Sequence, residues 1–369
     1  MEPGHGGERA RERPLAGGAL ISRTLGIIGV GLIGGSVGLT ARKAGWEVVG
    51  VDEPEILEKA TELEAIDRAS TIKEVRGADL VVLAAPISRI TALIRDLPPT
   101  DALVTDVAST KTKIVREAEA RNLRFVGGHP MAGSQLSGVA NARKDLFHGA
   151  RYFLTPTEKT YTEAYSEVAR FVRQDLGAVP TAVEPEKHDL LVAALSHLPH
   201  LMAVALLKVA SDISPEALLF AGPSFRDLTR VGASNPALWS DILAENAPAL
   251  GEALGAFAGA MAQIGSEISN QKNIEDRFHA AREAYDALGN ILVEKSSKNV
   301  EIAVPVENRP GVLAEVTTLM GKNDINILDL YMRHSNTERA ALVLAVDVEA
   351  LPLAQQLLRE AGFKTERVK

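Results

Sequence analysis

The stretch Gly29-Val30-Gly31-Leu32-Ile33-Gly34 constrains the fold of this chain more than any other. It follows the apolar run Leu25 to Ile28 and precedes a helical pattern through Val37, Leu39 and Ala41 that closes near Gly45. A second apolar run, Glu47 to Val51, ends at Asp52, roughly 20 positions after the first glycine, the spacing of a dinucleotide-binding βαβ unit. Gly29 permits the tight turn, Gly31 lets a pyrophosphate approach the backbone beside Leu32 and Ile33, and Gly34 allows the helix to pack on the strand. The helix N-terminus offers free N–H groups and a positive dipole end to the phosphates. Asp52 is placed to accept bonds from ribose hydroxyls and to repel a 2′-phosphate, which favours NAD over NADP as the cofactor.

The alternation continues, so residues 23–184 read as an α/β domain, a Rossmann doubly wound parallel sheet. Ala78 to Ala84 is a buried strand ending in a ligand-facing loop at Ala85-Pro86, Ile87 to Leu97 a helix, and Ala102 to Val107 the next strand. Ala108-Ser109-Thr110-Lys111 opens a helix to Arg121, and the strand Arg124-Phe125-Val126 delivers Gly127-Gly128-His129-Pro130-Met131-Ala132-Gly133-Ser134. Tyr152 to Pro156, a helix over Thr162 to Leu176, and Thr181 to Val183 complete the sheet. Ligands of such sheets sit beyond the carboxyl ends of the strands. Asp106 to Lys111 and Gly127 to Ser134 are therefore expected side by side at the nicotinamide end, with small residues around His129 leaving room for a ligand. Histidine titrates near neutrality and can take a proton from a substrate. A structural turn histidine is the plainer reading of that stretch by itself. Ser109 either caps its helix or orients a reacting group, and Lys111 is either a solvated charge or part of the site.

From Pro185 the strand signals fade, and residues 185–295 read as an all-helical second domain. Helices are expected over His188 to Ala210, Pro215 to Leu219, Ala237 to Ile264 and Ile274 to Val293. Apolar helices such as Leu190 to Val209 need partners on more than one face. His197 and His200, three apart, share a helix face, with His188 upstream. Satisfied core histidines and substrate-contacting ones both fit that spacing, whereas no acid or third ligand at fixed spacing supports a metal, and none is expected. In Phe225-Arg226-Asp227-Leu228-Thr229-Arg230, either arginine offers the planar fork that grips a carboxylate. Surface pairing with Asp227 or Glu245 is the alternative.

After the polar break Glu294 to Asn299 the pattern changes again, over residues 299–369. Strands over Glu301 to Val306, Ile325 to Tyr331, Arg339 to Val346 and Lys364 to Val368, with helices over Val312 to Lys322 and Leu351 to Ala361, give the order βαββαβ of a ferredoxin-like unit.

Composition excludes some roles. A length of 369 residues fits two or three domains. The net charge of −8 argues against nucleic-acid binding, and the absence of cysteine removes disulfides, thiolate nucleophiles and cysteine metal sites. No apolar run long enough to span a bilayer is expected, which points to a cytoplasmic protein without membrane contact. Residues 1–22, rich in glycine and arginine and without the apolar core of a signal peptide, read as a disordered leader.

Taken together, the glycine loop, the run Asp106-Val107-Ala108-Ser109-Thr110-Lys111 and the run Gly127 to Ser134 resemble prephenate dehydrogenase of the tyrosine pathway, over about Leu25 to Leu292. The resemblance implies NAD-dependent oxidative decarboxylation of prephenate to 4-hydroxyphenylpyruvate. In it His129 accepts the hydroxyl proton, Ser109 orients the hydroxyl and His129, Arg230 (or Arg226) holds a carboxylate, and His200 with His197 steadies the rest of the substrate. It also implies a homodimer packed through the helices. Residues 299–369 resemble an ACT domain, whose members bind amino acids at the first β–α turn. Asn308, Pro310 and Gly311 match that turn, and tyrosine is the natural effector, the alternative being a dimerisation module without a ligand. Arogenate dehydrogenase, the same chemistry on a substrate with an amine in place of the ketone, is the nearest rival. A non-catalytic amino-acid sensor is disfavoured by the intact Asp52, Ser109 and His129. A 3-hydroxy-acid dehydrogenase is expected to carry a catalytic lysine where this chain has His188 to His200.

Overall fold

The computed structural model describes residues 23–367 apart from 134–135, 215, 295–298, 308–311, 324, 326 and 335–338. The leader, Ser134 and the expected effector residues Asn308, Pro310 and Gly311 thus lie outside the described residues. The chain falls into two compact units, Met1–Met261 and Ala262–Lys369.

The first unit begins with β1 (Thr24–Ile28), α1 (Leu32–Lys43), β2 (Glu47–Val51), α2 (Pro54–Glu62), β3 (Arg68–Ala69), α3 (Ile72–Val75) and β4 (Leu80–Leu83). It continues through α4 (Ile87–Asp96), β5 (Leu103–Asp106), α5 (Thr112–Ala120), β6 (Phe125–Pro130), β7 (Arg151–Thr155), α6 (Thr162–Arg170) and β8 (Val179–Ala182). The strands form one sheet in the order β3-β2-β1-β4-β5-β6-β7-β8, so the order reverses between β1 and β4, where a doubly wound sheet opens its ligand crevice. Leu25, Ile27, Leu80 and Val82 face one core, while Ile28, Val81 and Leu83 face another. Strands buried on both faces are what helices on both sides of a sheet require.

The sheet is not wholly parallel as expected: β7 runs antiparallel to β6. Among the described residues its connection contains only the short 3-10 turn Val139–Asn141, and with no crossover helix there the chain returns antiparallel. Two short helices escaped the sequence pattern because they bury little. α2 starts with Pro54 in its first turn and buries only Leu57 and Ala60, and α3 starts from a capping box between Thr71 and Glu74.

The helical region comprises α7 (Pro185–Val192), α8 (Leu198–Ile213), α9 (Pro223–Thr229), α10 (Pro236–Glu245), α11 (Ala247–Ser269) and α12 (Glu275–Glu294). The π-turn Ala193–His197 joins α7 to α8 without a break. The resulting helix, Pro185–Ile213, has 29 residues and is long and apolar enough by composition to cross a bilayer, which corrects the expectation that no such run exists. Its first turns are bonded to the Rossmann domain through Asp189, as described below. α9 forms where no helix was expected, with Pro223 in its first turn. The single helix expected over Ala237 to Ile264 is broken at Asn246.

In the second unit β9 (Asn299–Glu307), α13 (Val312–Lys322), β10 (Ile327–His334), β11 (Arg339–Asp347), α14 (Leu351–Glu360) and β12 (Glu366–Arg367) give the βαββαβ order. The antiparallel sheet has the order β10-β11-β9-β12 and packs Ile302, Val304, Leu342 and Leu344 against Val316, Met320 and Leu358.

Candidate active site

At the end of β1 the chain turns at Gly29 with φ +95°, where glycine is favoured. A Cβ at Gly29 would strike the backbone of Ala84 and Ala85, and one at Gly34 would lie 2.0 Å from the Gly29 carbonyl oxygen. The loop, the start of α1 and the Ala85-Pro86 corner are therefore pressed together. Around Gly31 the opposite holds: a Cβ there would meet nothing within 4 Å, and α1 begins with no side-chain cap. The Asp52 carboxylate accepts from the Val30 N–H at 2.6 Å and the Glu53 N–H at 2.8 Å. It is thereby fixed beside the loop, with lone pairs remaining for further donors. An open backbone, free helix N–H groups and a fixed acid fit a dinucleotide.

His129 lies within β6 rather than in a loop after it. Only Phe125 and Val126 pair with β5. From Gly127 to Pro130 the strand pairs with β7, placing His129 opposite Phe153. Side chains fill the gap that opens between β5 and β6. Asp106 accepts from the N–H groups of Gly128 and Ala108, each at 3.0 Å. The Lys111 ammonium donates to the Asp106 carboxylate and, at 2.7 Å, to the Gly128 carbonyl. Both charged groups are fully buried, so Lys111 is not the solvated charge that was one of its two expected roles. Burial lowers the Lys111 pKa against the opposing pull of Asp106. Gly128 is set by crowding, since a Cβ would lie 2.5 Å from the Asp106 carbonyl oxygen and 2.9 Å from the Tyr152 ring. The room made there is taken by protein and not, as expected, by a ligand; beyond His129, Gly133 is open.

The imidazole of His129 heads a buried polar chain. Its Nδ1 lies 2.9 Å from Nε2 of His188, and Nδ1 of His188 lies 2.9 Å from Oδ1 of Asp189. The Asp189 carboxylate also accepts from the N–H groups of Lys111 at 2.7 Å and Thr112 at 2.8 Å. A side chain of α7 thus caps α5, the role that Ser109 was expected to fill if not a catalytic one. Ser109 is half-buried at the same strand end, and among the described residues it makes no hydrogen bond to His129. Burial first, then the charges of His188, Lys111 and His197, hold the His129 pKa well below the usual histidine value, so the ring is a neutral acceptor at neutral pH. His188 is lowered too, chiefly by burial, although Asp189 opposes this. Burial works to raise Asp189, but the bonds from His188, Thr112 and Lys111 outweigh it and keep the carboxylate ionised. Asn246, at the break between α10 and α11, donates to the Asp189 carbonyl at 2.9 Å and reaches Nδ1 of His197 at 3.1 Å.

Neither Asp189 nor Asn246 was singled out from the sequence. A signal existed for the first: an acid directly after a histidine, at the head of an otherwise apolar helix.

The remaining expected residues divide by exposure. His197 is buried and packs edge-on to Trp239, and burial pushes its pKa down to about 4. His200 stacks on the same indole at 3.6 Å. Its Nδ1–H donates to the Ser196 carbonyl at 2.9 Å. Of the pair only His200 keeps an accessible edge. Arg230 is exposed at the start of the 3-10 turn Arg230–Ala233, which packs on Ala203 and Leu207 of α8. Arg226 is also exposed and donates to the Ala221 carbonyl at 3.2 Å. Glu245, a possible surface partner for either arginine, pairs with Lys113 at 3.2 Å.

A neutral imidazole at the carboxyl edge of a dinucleotide-type sheet is compatible with dehydrogenase chemistry. Residues 37–180 match the prephenate dehydrogenase nucleotide-binding domain, 184–281 the prephenate dehydrogenase dimerization domain, and 300–363 the ACT domain. The chain is 32% identical over 324 residues to the prephenate dehydrogenase of Bacillus subtilis (strain 168), covering 83% of this chain and 87% of that one. Among solved structures, Synechocystis arogenate dehydrogenase is similar with a TM-score of 0.63 and 35% identity, over 71% of this chain and 99% of that one. The prephenate dehydrogenase from A. aeolicus, in complex with hydroxyphenyl propionate and NAD+, is similar with a TM-score of 0.63 and 32% identity, over 75% and 99%. The chain belongs to the prephenate dehydrogenase family, with an ACT domain at its C-terminal end.

Proposed function

We propose that the protein oxidises prephenate with NAD to 4-hydroxyphenylpyruvate and CO2. The observation that carries this reading is His129, held neutral in β6 at the edge of a crevice that fits a dinucleotide. NAD+, when bound, supplies the acceptor for the hydride that leaves C4 of the ring. His129 takes the C4 hydroxyl proton as that happens. The ring carboxylate then departs as CO2, its bonding pair entering the ring and making it aromatic. His129 returns its proton to the phenolic oxygen, so no net proton is released. Ser109 orients the hydroxyl, Arg230 (or Arg226 one turn earlier) holds a carboxylate, and His200 steadies the side chain while buried His197 supports the shared Trp239. Gly29, Gly31, Leu32, Ile33, Gly34, Asp52, Ala85 and Pro86 form the cofactor side. Mixing the full chain with prephenate and NAD+ should produce NADH and 4-hydroxyphenylpyruvate; no NADH would remove this reading.

Arogenate is the second reading, favoured by the likeness to the Synechocystis enzyme. It changes only the side chain, far from the proton and hydride transfers, so the same test with arogenate separates the two.

The assembly we infer is a homodimer. The second matched domain is a dimerization domain, and the chain leaves Ile213 79% and Phe220 82% exposed in that region, with Leu195, Val209 and Leu219 exposed as well. Such a surface asks for a partner. Sedimentation as a monomer at micromolar concentration would overturn this. Tyrosine is the effector we infer for the ACT domain, on the resemblance of its first turn. Unchanged NADH production with tyrosine present, together with no binding heat from the full chain, would exclude it.

A further inference from the structure

We propose that His188 and Asp189 are positioning residues that fix His129 as its Nδ1–H tautomer, so that Nε2 carries the lone pair that takes the substrate's proton. The proposal rests on His129 being the base and names what makes it one.

The assignment follows from counting donors along the chain. A carboxylate only accepts, and Asp189 is anchored by the backbone N–H groups of Lys111 and Thr112 at 2.7 and 2.8 Å. Its 2.9 Å contact with Nδ1 of His188 therefore requires a hydrogen on that nitrogen. Neutral His188 then has a bare Nε2, which can only accept. The 2.9 Å contact to His129 is filled by a hydrogen on Nδ1 of His129. A neutral imidazole carries one such hydrogen, so Nε2 of His129 is left as the acceptor. The opposite arrangement needs a doubly protonated His188, which burial beside the Lys111 charge opposes. Phe153 stands edge-on to His188 at 5.3 Å and tilted to His129 at 6.5 Å, which restrains both rings.

The same chain supports the charged state. Once His129 is protonated, its Nδ1–H still donates to His188, and the fixed Asp189 carboxylate steadies the pair without taking a proton. This is the logic by which a buried carboxylate orients a catalytic histidine; losing the correct tautomer in a serine-protease triad costs about 10⁴-fold in turnover. Here a second histidine is interposed. Because Asp189 belongs to α7 and caps α5, the orientation of the base is set by the seating of α7 on the Rossmann sheet.

The test has two readouts on the full chain. Nitrogen-15 spectra of the histidine rings, assigned with His129→Asn, should show His129 protonated at Nδ1 and bare at Nε2 near neutral pH. A proton on Nε2 would overturn the proposal. This measurement needs no substrate, so it decides the relay even if neither prephenate nor arogenate is oxidised, an outcome that defeats only the functional reading. In kinetics, His188→Leu, which removes the acceptor, should lower kcat by roughly 10²-fold or more with KM for NAD within about twofold. His188→Gln, whose amide oxygen keeps an acceptor near the Nε2 position, should recover at least about tenfold of that loss. Unchanged kcat in His188→Leu, or equal losses in both variants, would overturn it. If His188→Leu does not fold, the spectra and His188→Gln decide.

Discussion

α7, which meets β5 and β6 at the seam, and α8, which with α9 carries an outer face, are consecutive parts of one helix, yet the two regions are satisfied in opposite ways. At the seam Asp106, Lys111, His129, His188, Asp189, His197 and Asn246 are each bonded within the chain. On the outer face Ile213, Leu219 and Phe220 lie open, as do Arg226 and Arg230. In the role proposed for His129, the histidine has to be held before substrate arrives, and its neighbours here come from the same chain. The carboxylate grip proposed for Arg230 or Arg226, and the apolar face proposed to pair with a second copy, would be completed by what binds them.

The largest effect should come from the seam. His129→Asn is expected to lower turnover roughly 10²–10⁴-fold with NAD affinity little changed, measured by steady-state kinetics and NAD titration. Near-normal turnover would show that the closed seam is structural only. Lys111→Met leaves the Asp106 carboxylate buried without its cation, and denaturant unfolding should show a loss of about 3–5 kcal/mol. A loss under about 1 kcal/mol would mean that the backbone N–H groups of Gly128 and Ala108 suffice.

Acid should act on the seam as well. His129, His188 and His197 are all held below the usual value of 6.5, His197 at about 4. The unfolded chain therefore binds more protons than the folded one below pH 6.5, and stability falls as pH drops from 6.5 towards 4, while above 6.5 this contribution is constant. Thermal unfolding across that range checks it; a flat profile contradicts the buried neutral rings. On the open face, Arg230→Ala should raise the prephenate KM about 10–100-fold with a smaller change in kcat. If KM is unchanged and the same variant of Arg226 raises it, the grip belongs to Arg226.

Much of the fold was legible because its signals are local. The glycine loop and Asp52 announce a Rossmann unit within one βαβ stretch, and the C-terminal βαββαβ order was readable strand by strand. What was missed depends on distance. His129 and His188 are 59 positions apart, Thr112 and Asp189 are 77, and Asn246 and Asp189 are 57, and no periodicity within one element reports such contacts. Asn246 reads as an ordinary mid-helix residue until the helix is seen to break there. Gly128 reads as space for a ligand, although the Tyr152 ring and the Asp106 backbone fill it. The histidine at the head of the site was visible in the sequence; the groups that orient it were not.

The most direct measurement is NADH formation by the full chain with NAD+ and either prephenate or arogenate, with carbon dioxide and the aromatic product quantified alongside. Prephenate should yield NADH, CO2 and 4-hydroxyphenylpyruvate in equal amounts, and His129→Asn should suppress all three together. No NADH from prephenate, whether or not arogenate is oxidised, would contradict the substrate assigned to this site.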